Sequence, residues 1–213
     1  MKIEQLKNIG KEKVCFASDY TVLDLETTFF CQEHAIIEIG AVRVRGHKII
    51  DSFQQLVKPA GRIDDFVVKL TGIQETMVAD APSIAEILPT FVSWLGEDLV
   101  VGQNVDYDLR CLHHVCLACG MEPVHNEYAD TLSLSKALLP ELKHHRLSFL
   151  CEHLMISQKT IHRALADSEA TMQVYEKLRQ LWEKSGEDEE ELQKRCKCKF
   201  SGKTKKKNQL ICK

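Results

Sequence analysis

Tyr20-Thr21-Val22-Leu23-Asp24-Leu25-Glu26-Thr27-Thr28 is the stretch on which the reading of this chain turns. Its first seven residues predict a strand, and because alternate side chains point to opposite faces, Asp24 and Glu26 share one face while Leu23 and Leu25 share the other. Two hard oxygen ligands then project side by side. Magnesium prefers carboxylate and water oxygens, and two such ions roughly 3.5 to 4 Å apart can clamp both the attacking and the leaving oxygen of a phosphodiester. Taken alone, the stretch reads equally well as a strand that ends in two solvated acids. A two-metal site needs three or four carboxylates, so distant partners decide.

One partner is Asp108. In Leu99-Val100-Val101-Gly102-Gln103-Asn104-Val105-Asp106-Tyr107-Asp108 an apolar strand breaks at Gly102 and an amphipathic helix is expected to begin near Asp108. An acid there is stabilised by the helix dipole, so Asp108 also reads as an N-terminal cap, as does Asp106. The other partners lie in His162-Arg163-Ala164-Leu165-Ala166-Asp167. On one helix, His162 and Asp167 would stand roughly 140° apart around the axis and could not converge. With His162 in a loop and the helix starting after it, the imidazole can fold back over Asp167. That helix is marked by Leu165, Ser168, Met172, Tyr175, Leu178 and Trp182, a stripe that reads as core packing.

Five blocks, in order, carry a resemblance. They are Asp24-Leu25-Glu26-Thr27-Thr28, Ile36-Ile37-Glu38-Ile39-Gly40-Ala41-Val42, Gln103-Asn104-Val105-Asp106-Tyr107-Asp108, Asp130-Thr131-Leu132, and His162-Arg163-Ala164-Leu165-Ala166-Asp167-Ser168-Glu169-Ala170-Thr171. Together they resemble the motifs of the DEDDh (DnaQ-like) 3′-5′ exonucleases, in the branch of the epsilon proofreading subunit and the exonuclease domain of Gram-positive replicative DNA polymerase III. The likeness covers residues 18–183. It implies that Asp24, Glu26, Asp108 and Asp167 hold two magnesium or manganese ions and that His162 is the general base. The residue types suit those roles, since imidazole, with an ordinary pKa of about 6.5, can take a proton from an attacking water near neutral pH. The resemblance further implies that Leu25, Thr27, Thr28, Leu70, Thr71 and Tyr107 contact the terminal nucleotide, by stacking and apolar contacts that tolerate any base. For Leu70 and Tyr107, ordinary burial is an equally good reading. His113, His114, His144, His145 and His153 receive no role.

The chain departs from the family at three places. Phe29-Phe30-Cys31 follows the paired threonines where glycine is common, Gln103 stands where histidine is frequent, and so does Thr71 before Gly72. None removes an acid of the expected site. Substrate preference is what they affect.

Residues 18–57 predict three strands in an antiparallel meander, with a turn at Gly46-His47-Lys48. Phe66 to Val78 and Ser83 to Leu95 predict helices punctuated by Thr71-Gly72 and Ala81-Pro82; a strand at Val100, a helix at Asp108, a short strand near Asp130 and further helices follow. The fold class is therefore α/β, and the resemblance implies an RNase H-like mixed five-stranded sheet flanked by helices. The expected layout is an N-terminal extension over 1–17, an exonuclease domain over 18–183 and a charged C-terminal tail over 184–213, a frayed helix followed by a flexible segment.

The chain has 213 residues, 44 % of them hydrophobic, enough for one substantial core. No apolar run reaches membrane-spanning length and the first residues lack the apolar core of a secretory signal, so a cytoplasmic protein with no membrane partner is expected. A formal net charge of −3 argues against a strongly basic nucleic-acid binder and for a transient grip on one 3′ end. Cys111, Cys116 and Cys119 sit near His113 and His114, but one helix cannot wrap a tetrahedral ion, and packed thiols are the better reading. Lys203, Lys205, Lys206 and Lys207 read as a solvated end, or as phosphate contacts if the tail has a function. The expected substrate is the single-stranded or frayed 3′ end of DNA, with RNA as the alternative and a DNA polymerase subunit as a candidate partner. A catalytically silent interaction module is the reading from another class, and retention of all five site residues weighs against it.

Overall fold

The computed structural model describes residues 9–28, 35–158 and 162–200, the last four of these by backbone alone. Five strands, β1 (Tyr20–Thr27), β2 (Ile36–Arg45), β3 (Lys48–Leu56), β4 (Val100–Gly102) and β5 (Tyr128–Asp130), form one sheet in the order β3-β2-β1-β4-β5. The first three pair antiparallel, as the short turn at Gly46 and His47 requires, while β4 and β5 join parallel through helical crossovers. The mixed sheet expected from the sequence is present.

Period-two alternation separates two cores. Leu23, Leu25, Ile39 and Ala41 face one side, where α3 (Ile84–Leu95) and α4 (Asp106–Ala118) cover them with Leu88, Phe91, Leu109 and Leu112. Tyr20, Val22, Val42 and Val44 face the other, beneath α5 (Thr131–Leu138), α6 (Leu147–His153) and α7 (Ala164–Ser185). Two short helices, α1 (Asp65–Thr71) and α2 (Glu75–Val78), close a third, smaller cluster around Ile37, Ile63 and Ile73. The punctuation expected at Thr71-Gly72 separates them, because Gly72 adopts φ 72° and donates its N–H to the Val68 carbonyl.

Both flanks are tied to the sheet more closely than the sequence implied. Residues 11–13 run beside β5, Tyr128 exchanging backbone hydrogen bonds with Lys11 and Lys13, and Phe16 packs on Tyr175 and Trp182. At the other end, the first part of the expected tail is a further helix, α8 (Glu189–Phe200), packed on α5 with Leu192 and Cys196 buried. Its charged sequence hides a two-residue apolar stripe at i and i+4, enough to seat one helix face. The lysines at 203–207 lie outside the described residues.

Candidate active site

Alternation along β1 sends Asp24 and Glu26 onto the α7 face, continuing the row of Tyr20 and Val22, but at the strand end where helical cover gives way. Opposite Asp24 on β2 stands Gly40. A Cβ there would fall 2.1 Å from the backbone of Ala164 and Leu165, so only glycine lets the first turn of α7 rest on the sheet. The Ser168 hydroxyl then donates to the Gly40 carbonyl at 2.9 Å. This close approach carries Asp167, in the same first turn, over the acids of β1.

His162 lies outside the helix, two residues before α7, as the angular argument required. Its backbone is left-handed (φ 59°), and its N–H donates to Asp167 Oδ2 at 3.0 Å. Histidine tolerates that region better than most residues, but it is a strained choice that the surroundings must enforce. One ligand atom each of Glu26, His162 and Asp167 lie within 4.8 Å of one another. From the opposite core, Asp108 reaches across to the strand: Oδ1 accepts the Leu25 N–H at 3.2 Å. That overturns the cap reading of Asp108. Val105 occupies the cap position without a side-chain cap, and Asp106 pairs with Arg110 at 2.7 Å.

The electrostatics agree with this crowding. Asp24 is held well above the usual carboxylate range, first by burial and then by Asp108, Glu26 and Asp167. Asp108 shifts the same way, chiefly by burial against the bond from Leu25, and Glu26 is pushed up to about 7 by burial and by Asp167 and Glu38. Asp167 is raised by burial despite the His162 N–H. Four acids crowd together here with only Arg163 beside Glu26 and His162 beside Asp167 to offset their charge among the described residues, so the donor set is short of positive charge. All-carboxylate oxygen fits a hard divalent cation.

Around this cluster, the Thr27 hydroxyl and the Tyr107 phenol share a hydrogen bond at 3.2 Å, so two of the expected nucleotide contacts stand side by side. Leu70 is 40 % exposed. Leu25 and Thr28 are buried, and Thr71 is turned inward, its hydroxyl donating to the Val67 carbonyl and accepting from the Ile73 N–H. The Thr71 side chain therefore faces the core. Phe29, Phe30 and Cys31 lie outside the described residues. Cys111 and Cys116 are buried in the core, where burial pushes the Cys111 thiol up to about 12.

Two residues escaped the sequence reading. Glu38, fully buried on β2, accepts from Arg163 at 2.8 and 3.1 Å, from the Ala164 N–H at 3.1 Å and from Gln54 at 3.1 Å. Burial alone would raise its pKa; these partners hold it low. It clamps the segment that carries His162. Gln158 donates to Asp167 Oδ1 at 3.4 Å. An acid inside the apolar run Ile36-Ile37-Glu38-Ile39 was the available signal for the first, while nothing in the sequence marks the second.

The chain can now be set beside known proteins. The family model described as Exonuclease matches residues 21–175. The PolC-type DNA polymerase III of Oceanobacillus iheyensis is 38% identical over 157 residues, 73% of this chain, and that of Bacillus subtilis is 37% identical over 154 residues, 71% of it. In each case the chain spans only 11% of the length of that relative. Among solved structures, exonuclease X in complex with 5′ overhanging duplex DNA superposes with a TM-score of 0.61 at 25% identity, covering 83% of this chain and 98% of the other. The nuclease domain of 3′hExo, a DEDDh family member bound to rAMP, gives 0.62 at 22%, covering 78% and 92%. The match of the Exonuclease family model across the sheet and into α7 places this chain in the exonuclease family.

Proposed function

We propose that the chain is a 3′-5′ exonuclease that removes nucleoside monophosphates one at a time from single-stranded or frayed 3′ ends of DNA, such as those a DNA polymerase produces. The observation that carries this is the convergence of Asp24, Glu26, Asp108, Asp167 and His162, from chain segments far apart, at one end of β1. Dependence on a divalent metal goes with the family. Here Asp24, Glu26, Asp108 and Asp167 are proposed to hold two magnesium ions, or manganese in their place. When bound, such ions make water more acidic and neutralise charge on the phosphate that is attacked.

The protein's own groups do the rest. His162 takes the proton from the attacking water at a ring nitrogen, and its backbone bond to Asp167 holds the residue in place. Glu38 and Arg163 fix the segment from below. Leu70 and the Thr27–Tyr107 pair seat the terminal nucleotide without reading its base. The relatives named as PolC-type polymerases support a DNA substrate and a role beside a polymerase.

The test is direct. End-labelled single-stranded DNA, duplex DNA with a mismatched 3′ end, and RNA of the same sequence are each incubated with protein and magnesium. Stepwise loss of mononucleotides from the two DNA 3′ ends supports the proposal, preference for RNA moves the assignment to an exoribonuclease, and inactivity of wild type and Asp24→Ala alike on all three defeats it.

A further inference from the structure

Arg146 differs from every other arginine of the chain. The rest each form a salt bridge with an acid, whereas Arg146 is exposed and forms none among the described residues. Lys143, three residues earlier, is likewise exposed and without an ion pair among them. Between and beside these cations, His144 packs its ring on Phe149 (centroids 5.0 Å apart), and Phe149 remains 45 % exposed. A phenylalanine left in water beside unpaired cations gains nothing for the fold from that placement.

The segment is hung from the catalytic edge at both ends. Gln103 follows β4 directly, and the parallel register of Thr21 with Val100 and Val22 with Val101 brings it level with Asp24 one strand away. Its amide donates to the His145 carbonyl at 2.8 Å, while its oxygen accepts from Thr131 at 2.6 Å. Beyond α6, Gln158 donates to Asp167. Residues 143–149 thus flank the carboxyl ends of β1 and β4, the side of an open α/β sheet on which ligands commonly bind.

A strand entering this site brings phosphates toward a cluster of repelling acids. Cations along its path reduce that repulsion, and an aromatic face offers a base a stacking surface indifferent to sequence. We propose that Lys143, His144, Arg146 and Phe149 form a platform for nucleotides upstream of the one being removed, holding backbone phosphate at Lys143 and Arg146 and a base on the His144–Phe149 pair. The platform rests on the exonuclease reading and gives the site a preference for unpaired strands longer than a dinucleotide. Glu141, the nearby acid of the segment, is exposed and leaves the local charge positive.

The test compares wild type with the K143E/R146E double variant and with Phe149→Ala, all as full chains. Cleavage of a dinucleotide and of a 12-nucleotide strand is followed across salt, and binding of a fluorescein-labelled 12-mer is measured in EDTA, so that grip is read without catalysis. The variants are expected to cleave the dinucleotide as wild type does. K143E/R146E should raise KM and Kd for the 12-mer about tenfold, with a log-log salt slope shallower by about 1 to 2. Phe149→Ala should weaken 12-mer binding by about 5-fold or more, the scale of one lost stacking contact, with the salt slope unchanged. Unchanged 12-mer binding and salt slope in both variants overturns the platform, as does an equal loss on the dinucleotide. Failure of wild type to cleave anything defeats the exonuclease reading instead, and the EDTA binding still decides whether the platform holds a strand.

Discussion

The two ends of β1 handle buried acid in opposite ways. At the amino end, Asp98 accepts from the Thr21 hydroxyl at 2.6 Å and from Arg45 at 2.7 and 2.8 Å, and Glu176 accepts from Tyr20 at 2.7 Å and pairs with Arg179 at 2.9 Å. Burial works against both acids, yet these partners hold their pKa values below the ordinary range. At the carboxyl end of the same strand, Asp24, Glu26, Asp108 and Asp167 are all held above it. Acids at the first end hold the fold together. Those at the second cost the fold stability, and they stay because charge left unneutralised is charge available to a cation.

Exchanging acid for neutral residue at each end should separate the two roles most sharply. Asp24→Asn is expected to abolish cleavage while the metal-free melting temperature holds or rises, because one source of repulsion is removed. Asp98→Ala should instead leave kcat near wild type and destabilise the fold by about 1 to 3 kcal/mol, as partly buried arginines lose their partner. Cleavage assays alongside thermal melts check both, and a stabilising Asp98→Ala would erase the contrast.

His162→Ala is expected to slow the chemical step about 10²- to 10⁴-fold, the scale of a lost general base, while the acids still bind magnesium. Single-turnover kinetics and metal titration by calorimetry distinguish this from Asp24→Asn, which should lose both. Equal loss of metal binding in the two variants would move His162 from proton transfer to ion holding.

Ending the chain after Trp182 should lower stability by about 2 to 4 kcal/mol, because α5 loses the cover of Leu192 and Cys196. Denaturant titration reads the difference. A truncation after Trp182 as stable as the full chain would restore the view of that segment as a solvated tail.

The smallest effect is on pH. Glu26 binds a proton more tightly in the folded state, so the metal-free protein should lose stability as pH rises from 4.5 toward about 7, with Asp24, Asp108 and Asp167 acting in the same direction. Asp98 and Glu176 work with the opposite sign: their contribution is complete above their ordinary values and is lost as pH falls below them. Melting temperature against pH should therefore peak in mild acid without metal. Magnesium should flatten the upper limb by favouring the ionised acids, and a limb that magnesium leaves unchanged would count against metal binding at the acids.

Much of the site was legible because its signals are local. Asp24 and Glu26 share a face through the two-residue period of a strand, and the rotation per residue of a helix is enough to exclude His162 from α7. Element order followed from the same periodicities. Asp108 was legible as a candidate but not as to which way it pointed, since an acid in a first helical turn serves a cap or a distant strand equally well in sequence. Thr71 carries a related ambiguity: two adjacent residues at a helix end, Leu70 and Thr71, differ in exposure, and nothing local said which faced the core. In α8, runs of glutamate and lysine masked the two residues that dock it.

By itself the sequence determined the strand that carries the acids, the break before α7 and the residue types of the site, because each depends on neighbours a few positions away. Tertiary structure alone decided that Gly40 admits α7 close enough to bring Asp167 over β1, that Glu38 grips Arg163, that Arg146 meets no acid among the described residues, and that Leu192 seats α8. Each of those is a contact, or the lack of one, between segments far apart in the chain, and the space that chain folding leaves between such segments is not written in any local pattern.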